Sequence, residues 1–329
     1  MANASSAKEW AKVAVKGLWA SPPIPFKPDL SLDEAALRHN VDEILARGAD
    51  GVGFGYAEPW HLTRQERMRC MEIFADAVKH RVPTFVHATD HSAPESVALA
   101  RHAAAVGIDA VMIHAPYEFA KSQQMAVEYF AYVAANTDIA IFAYHTPHSG
   151  SKLTPETIDT ISRIPAVAAL KNGINDFEHT KAVARLCGSR IVVSEPIEEM
   201  LPRAILELDQ QVLLGATSVY LTQGPEFKPI NEYVEDFRHG RLDAGWSKYH
   251  SLRPLRDAWK EMYGSVWGPN GGKHPIALTK VWMDAIGMYG GPVRPPGDGA
   301  SPVERQELLA RLSNTGLLPR LQSNAGPRP

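Results

Sequence analysis

Two side chains in this sequence carry chemistry most directly, and they stand at the ends of adjacent apolar runs. Lys171 closes the run Val167-Ala-Ala-Leu170, so its amine is delivered into apolar surroundings. Desolvation disfavours the charged form of a lysine, and the neutral amine can attack a carbonyl and form a Schiff base. The same position equally suits a lysine paired with a carboxylate such as Glu58 or Glu195. Tyr144 closes the preceding run, Ile139-Ala-Ile-Phe-Ala. A phenol beside such a lysine can carry protons to and from a carbinolamine and the substrate oxygen. Alone it reads as a tyrosine that anchors a loop through its hydroxyl; beside Lys171 the catalytic reading strengthens.

The 13 histidines suggest a rival. His87, His91, His114, His145 and His148 all fall at or just after the ends of apolar runs, where a metal-dependent hydrolase would gather ligands. The first run, Leu18-Trp-Ala-Ser-Pro-Pro23, supplies no His-x-His pair, and the last, Leu213-Leu-Gly-Ala-Thr-Ser218, supplies no Asp. A metal is therefore not expected. His39, His80, His102, His179, His239 and His250 lie on predicted helices and read as solvated.

The elements that must position these groups are legible as a repeat. Short Val-, Ile- and Ala-rich runs alternate with longer segments of helical periodicity. Strands are expected at Gly17–Ala20, Gly51–Phe54, Thr84–Ala88, Ala110–His114, Ile139–Tyr144, Val167–Lys171, Ile191–Ser194 and Val212–Leu214. Their near-continuous hydrophobicity suits parallel strands buried on both faces. Ser31 with Glu34, Thr63 with Glu66 and Ser92 with Glu95 fit capping boxes. Thr154-Pro155 starts a helix with proline at its first position, and Gly48, Gly107 and Gly188 mark helix ends. Eight such units close best as a (β/α)8 barrel over residues 17–226, with its chemistry at the C-terminal strand ends. A doubly wound open sheet is the alternative, but its glycine-rich phosphate fingerprints are absent. Helices at Phe227–Arg238, Asp243–Tyr263, Ile276–Ile286 and Pro302–Asn314 build a C-terminal helical domain over 227–318. Residues 1–16 read as a flexible leader and 319–329 as a disordered tail.

Composition narrows the function. The chain has 34 basic and 37 acidic residues among 329, for a net charge of -3, so no basic excess exists to neutralise a nucleic acid. Cys70 and Cys187 are too few for a disulfide framework, which points to a reducing, cytoplasmic setting. No run of 18 apolar residues occurs, so no membrane partner is expected.

In order and spacing the chain resembles the class I aldolase family of dihydrodipicolinate synthase and N-acetylneuraminate lyase, from about Gly17 to Leu318. The matching features are Pro25-Phe26 after the first strand, Gly48-Ala-Asp-Gly51, and Glu58 followed by Leu62-Thr63. To these add Tyr144-His-Thr-Pro147 in place of the family's Tyr-Asn-x-Pro, the Lys171 strand, and Gly291-Pro-Val-Arg-Pro-Pro296. The resemblance implies a barrel with a helical C-terminal domain and a homotetramer built as a dimer of dimers. It also implies a Schiff base between Lys171 and a 2-oxo acid such as pyruvate, with Tyr144 as proton relay. The iminium is the electron sink, so no metal or organic cofactor is implied.

The departures bear on the substrate. The family's Thr-Thr pair after the second strand is Gly55-Tyr56 here, which leaves backbone N–H groups but no hydroxyls for a carboxylate. The arginine after the Tyr-Asn-x-Pro segment is replaced by His148-Ser149-Gly150, and the second relay tyrosine by Glu118. These changes argue against lysine biosynthesis. A rim of Phe54, Tyr56, Trp60, His61, His87 and His145 favours an aromatic or otherwise bulky aldehyde partner over a dicarboxylate. Gly55, Tyr56, Trp60, His145, Glu195 and Gly215 are the expected substrate-binding positions. The expected activity is an aldolase or hydratase-aldolase, with sugar-acid aldolases or dehydratases as neighbours. The competing expectations are the metal-dependent hydrolase and a catalytically inactive family member.

Overall fold

Val, Ile, Phe and Ala dominate the short runs, and flanking helices bury both faces of each, so the runs pair as parallel strands. The computed structural model of the chain describes residues 3–55, 58–146, 152–267 and 274–323. Eight strands form: β1 (Gly17–Ala20), β2 (Gly51–Phe54), β3 (Thr84–His87), β4 (Ala110–Ile113), β5 (Ala140–His145), β6 (Val167–Asn172), β7 (Val192–Ser194) and β8 (Val212–Leu213). They make one sheet in the order β7-β6-β5-β4-β3-β2-β1-β8, the parallel pairing of a nearly closed (β/α)8 barrel. At the seam between β7 and β8 a side chain stitches the strands. Ser194 Oγ donates to the Val212 carbonyl at 3.0 Å and accepts from the Leu214 N–H at 3.0 Å. Each expected strand is present, with boundaries within a residue or so.

The chain divides into two compact units: Met1–Trp19, Asp50–Phe54 and Arg67–Ala216 in the first, and Ala20–Ala49, Gly55–Glu66 and Thr217–Pro329 in the second. The first is built around rings. Trp19, Phe85 and Phe142 fill its interior with centroids 5.8 to 6.1 Å apart. Room for them comes from Gly51 and Gly53: a Cβ at Gly51 would lie 2.2 Å from the Trp19 ring, and one at Gly53 would lie 2.0 Å from the Phe85 ring. Ala110, Ala140, Ala168 and Ala169 keep the remaining positions small. The expected frayed leader is replaced by a helix, Ala7–Ala14, whose Ala7 and Ala11 are fully buried against the barrel core. Trp10 stacks on Phe142 at 6.1 Å, so the apolar stripe of this helix has a partner to cover.

In the second unit, the helix expected over Asp243–Tyr263 is two helices, Leu242–Ser251 and Arg253–Trp267. The break follows from Pro254, which lacks the N–H that a continuous helix would need there. The helix Glu34–Ala46 is capped by Asp33, which accepts from the Ala36 N–H, while Ser31 is held by Asp29 instead. The Thr63–Glu66 box forms reciprocally. The tail is tied down further than expected: Leu318–Leu321 is helical and Leu321 is buried. The buried Arg47 guanidinium donates to the carbonyls of Gln223, Ile286 and Leu321 at 2.5 to 2.9 Å, which fixes that end. Residues 324–329 of the expected tail lie outside the described residues.

The motif residues scattered along the sequence meet here. Lys280 and Glu58, both fully buried, form an ion pair at 2.7 Å. Lys280 also donates to the carbonyls of Ile24 and Pro292, and Glu58 accepts from the Ile24 N–H at 2.7 Å. Burial pushes the Glu58 carboxyl up and the Lys280 amine down, opposed by their mutual attraction. Arg294 grips Glu66 with two bonds of 2.9 Å and covers the Phe26 ring at 4.4 Å. Lys280→Met would strand a buried carboxylate, so chemical denaturation is expected to show a loss of ~3–5 kcal/mol. The double variant Glu58→Leu/Lys280→Met is expected to recover most of that loss; equal losses in the two would refute the pairing as its source.

Candidate active site

Side chains on a strand alternate between its two faces, so a barrel strand sends every second residue inward. Phe85, Met112, Phe142 and Ala169 belong to the interior core. Two residues further along the same strands stand His87, His114, Tyr144 and Lys171, which therefore form the next layer, toward the C-terminal mouth. The odd steps, Phe54 on β2, His145 on β5, Asn172 on β6 and Glu195 after β7, face the surrounding helices.

Lys171 and Tyr144 are paired in register across β5 and β6. The Lys171 Nζ lies 4.9 Å from the centre of the Tyr144 ring and donates to the Gly215 carbonyl at 2.9 Å. Gly215 has φ +67°, and a Cβ there would come within 3.1 Å of the amine and 3.3 Å of the Phe85 ring. A side chain at this position would crowd the amine. Burial alone drives the Lys171 pKa down to about 8. At pH 7 about one amine in ten is then neutral, against a few in ten thousand for a solvated lysine. Burial pushes the Tyr144 phenol up, partly offset by its hydrogen bond with the Thr146 side chain, so it stays an O–H donor. The rings of His87 and His114 meet that of Tyr144 edge-on, at 6.2 and 6.1 Å.

The two carboxylates named as alternative partners of Lys171 are engaged elsewhere. Glu58 holds Lys280 in the second unit. Glu195 accepts from the Thr180 hydroxyl at 3.0 Å and the Ile197 N–H at 3.2 Å, in the layer between strands and helices. His145 lies in the same layer. The Leu153 N–H donates to its Nε2 at 2.9 Å, so its proton is on Nδ1, which donates to Asn172 Oδ1 at 2.8 Å. The Asn172 amide donates onward to Thr180 and to His179 Nδ1, and His179 Nε2 donates to the Leu153 carbonyl at 2.8 Å. His179, expected to be solvated, is buried in this chain of bonds.

Of the expected substrate-binding residues, Gly215 shares the Lys171 site, while His145 and Glu195 stand behind the strands. Gly55 is buried with φ +95°, and Trp60 is half exposed; both belong to the second unit. Tyr56 and His148-Ser149-Gly150 lie outside the described residues. Glu118 is exposed and pairs with Lys121 at 3.0 Å. Among the described residues no three His, Cys, Asp or Glu side chains converge as metal ligands, because the strand-end histidines split between the two faces. The alternation that sorts these residues was available in the sequence. Asn172 and His179 carried no sequence signal of their own, for their partners come from separate elements.

The buried histidines give a pH signature. Burial holds His145 near 4 in the folded chain, against an ordinary 6.5, and lowers His179 as well. Between about pH 6.5 and 4 the unfolded chain takes up protons that the folded chain refuses. Stability is therefore complete above this window and falls as pH drops through it, by up to ~3 kcal/mol for His145 alone. Urea unfolding at pH 7 and 4.5 is expected to show this loss, with a smaller difference in His145→Gln; the same difference in both proteins would rule His145 out as its source.

The chain also has known relatives. The model of the dihydrodipicolinate synthetase family matches residues 14–251. The 4-hydroxy-tetrahydrodipicolinate synthase of Methanopyrus kandleri is 28% identical over 308 residues, covering 90% of this chain and 94% of that protein. The enzyme of the same name from Syntrophus aciditrophicus is 31% identical over 297 residues, covering 89% and 96%. The structure of N-acetylneuraminate lyase (sialic acid aldolase) from Aliivibrio salmonicida superposes with a TM-score of 0.79 at 24% identity, covering 92% of this chain and 97% of that one, a likeness of fold. The chain belongs to the dihydrodipicolinate synthetase family, and is by class a lysine-dependent Schiff-base lyase of 2-oxo acids.

Proposed function

We propose that Lys171 forms the Schiff base, that Tyr144 carries its protons, and that the enzyme makes or breaks a C–C bond between pyruvate and an aromatic or otherwise bulky aldehyde. The observation that carries this reading is the buried Lys171 amine, lowered to about 8 by burial and set 4.9 Å from the Tyr144 ring. The amine adds to C2 of the oxo acid, and the carbinolamine loses water with Tyr144 donating the proton. In the cleavage direction the 4-hydroxyl loses its proton and the C3–C4 bond breaks. Its electron pair enters the iminium to give an enamine, and the aldehyde departs. Protonation at C3 and hydrolysis return pyruvate and the free amine.

The aldehyde assignment is supported by the rings around Tyr144 and by the family's charged and hydroxyl positions that this sequence lacks. His87 and His114 flank Tyr144, and the arginine and threonine positions of the dicarboxylate-using relatives are not retained in this sequence. A homotetramer, arranged as a dimer of dimers, belongs to the same reading and rests on the family resemblance, and a cytoplasmic setting rests on the scarcity of cysteines.

Borohydride reduction in the presence of pyruvate, followed by intact mass and peptide mapping, is expected to fix one pyruvate unit on Lys171. Lys171→Ala is expected to trap nothing, and Tyr144→Phe to keep trapping while turnover drops by ~10²–10⁴. An adduct on another residue, or none with any 2-oxo acid, would overturn the assignment.

A further inference from the structure

One polar side chain in the barrel mouth, that of His87, has no hydrogen-bond partner among the described residues. Among the described residues neither ring nitrogen of His87 has a hydrogen bond, although its neighbours are fully engaged. The Arg67 guanidinium clamps the chain at His87 and just after it, donating to the carbonyls of His87 and Thr89 and to Asp90 at 3.0 to 3.3 Å. The His114 N–H is held by Thr89 Oγ1 at 3.0 Å. The ring itself rests edge-on against Phe85, at 5.7 Å, and Tyr144, at 6.2 Å. The imidazole is thus fixed in position with its hydrogen-bonding capacity unspent. It is partly accessible, and it points inward on the same layer as Lys171. Its strand, β3, lies three places from β6 in the sheet, so it stands across the mouth from the nucleophile.

We propose that His87 is a specificity-determining residue that receives an uncharged hydroxyl of the aldehyde half of the substrate and rejects a carboxylate at the same place. This rests on the reading of Lys171 as the Schiff-base lysine. Lys171 and His87 both lie beside the Tyr144 ring, so a 2-oxo acid joined to Lys171 at C2 would lie in the layer that the imidazole faces. The ring is kept neutral by burial and by the charges of Lys171, His114 and Arg67. An iminium on Lys171 is a permanent positive charge, which opposes protonation further. A neutral imidazole can donate to and accept from a hydroxyl, but it offers no charge to compensate a buried carboxylate. A site polar group left without its partner discriminates strongly against the analogue that lacks the matching group.

The test uses pyruvate with three aldehydes of similar shape: 2-hydroxybenzaldehyde, benzaldehyde and 2-carboxybenzaldehyde. C–C bond formation by the wild-type enzyme is expected to favour the hydroxy compound over each of the others by ~10-fold or more in kcat/KM. In His87→Ala that preference is expected to shrink to within about twofold, while the borohydride-trapped fraction with pyruvate falls far less. His87→Asn, which keeps a donor and an acceptor, is expected to retain part of the preference and guards against a folding defect in the alanine variant. Absence of a hydroxyl preference in the wild-type enzyme, or a preference unchanged in His87→Ala, overturns the inference. So does loss of pyruvate trapping in both variants, which would make His87 part of the oxo-acid site. Failure of the wild-type enzyme to trap pyruvate at all overturns the Schiff-base reading, and this inference with it.

Discussion

The proposed chemistry of the barrel depends on a lysine amine deprived of water without being given a counter-charge among the described residues. Burial alone lowers Lys171 to about 8, and among the described residues its hydrogen-bond acceptor is the neutral carbonyl of Gly215. A carboxylate at the same distance would pull in the opposite direction by one to three pK units, roughly cancelling the effect of burial and returning the amine to its unreactive ammonium form. The aromatic filling of the interior follows from this need. Trp19, Phe85 and Phe142 exclude water from below the amine, and they fit only because Gly51 and Gly53 give up their side chains. The small residues of β2 are therefore part of what sets the reactivity of β6.

Keeping carboxylates away from Lys171 requires giving them other partners. Glu58 is locked to Lys280, Glu66 is gripped by Arg294, and Glu195 takes its hydrogen bonds from Thr180 and Ile197. Glu58 sits in a segment that resembles the family in sequence, yet like the other two it acts here as a brace. Glu195 is the clearest case. One residue earlier, Ser194 is paired in register with Lys171; one step along the strand moves the acid to the opposite face, behind the site.

That one-residue step also explains what the sequence did and did not reveal. Hydrophobic runs, helix punctuation and the adjacency of Lys171 and Tyr144 are local patterns, so strand positions and the juxtaposition of these two side chains could be read directly. His145 and Glu195 fell into the same strand-end windows as Tyr144 and Lys171, and only the alternation of faces separates them. The helix Ala7–Ala14 was hidden because its stability comes from Trp10 on Phe142 and from alanines packed against a core that is remote in sequence. The division of the long C-terminal helix, by contrast, was available at Pro254. The cap at Asp33 rather than Ser31 turned on a competing bond to Asp29, which spacing alone does not rank.

The charge balance of the mouth then follows. His87 is neutral, Tyr144 remains a phenol, and Arg67 is turned to Asp90 and backbone carbonyls. On the proposed mechanism, the iminium on Lys171 is the one charge that appears during the reaction within this layer of described side chains. In a poorly solvated site that charge acts on the bond beside it with little screening. A second fixed cation nearby would hold a dicarboxylate but would also destabilise the iminium, and a fixed anion would quench it. Neutral polar groups avoid both penalties. A mouth lined in this way can recognise a substrate through hydroxyls and rings while leaving the electron sink at full strength.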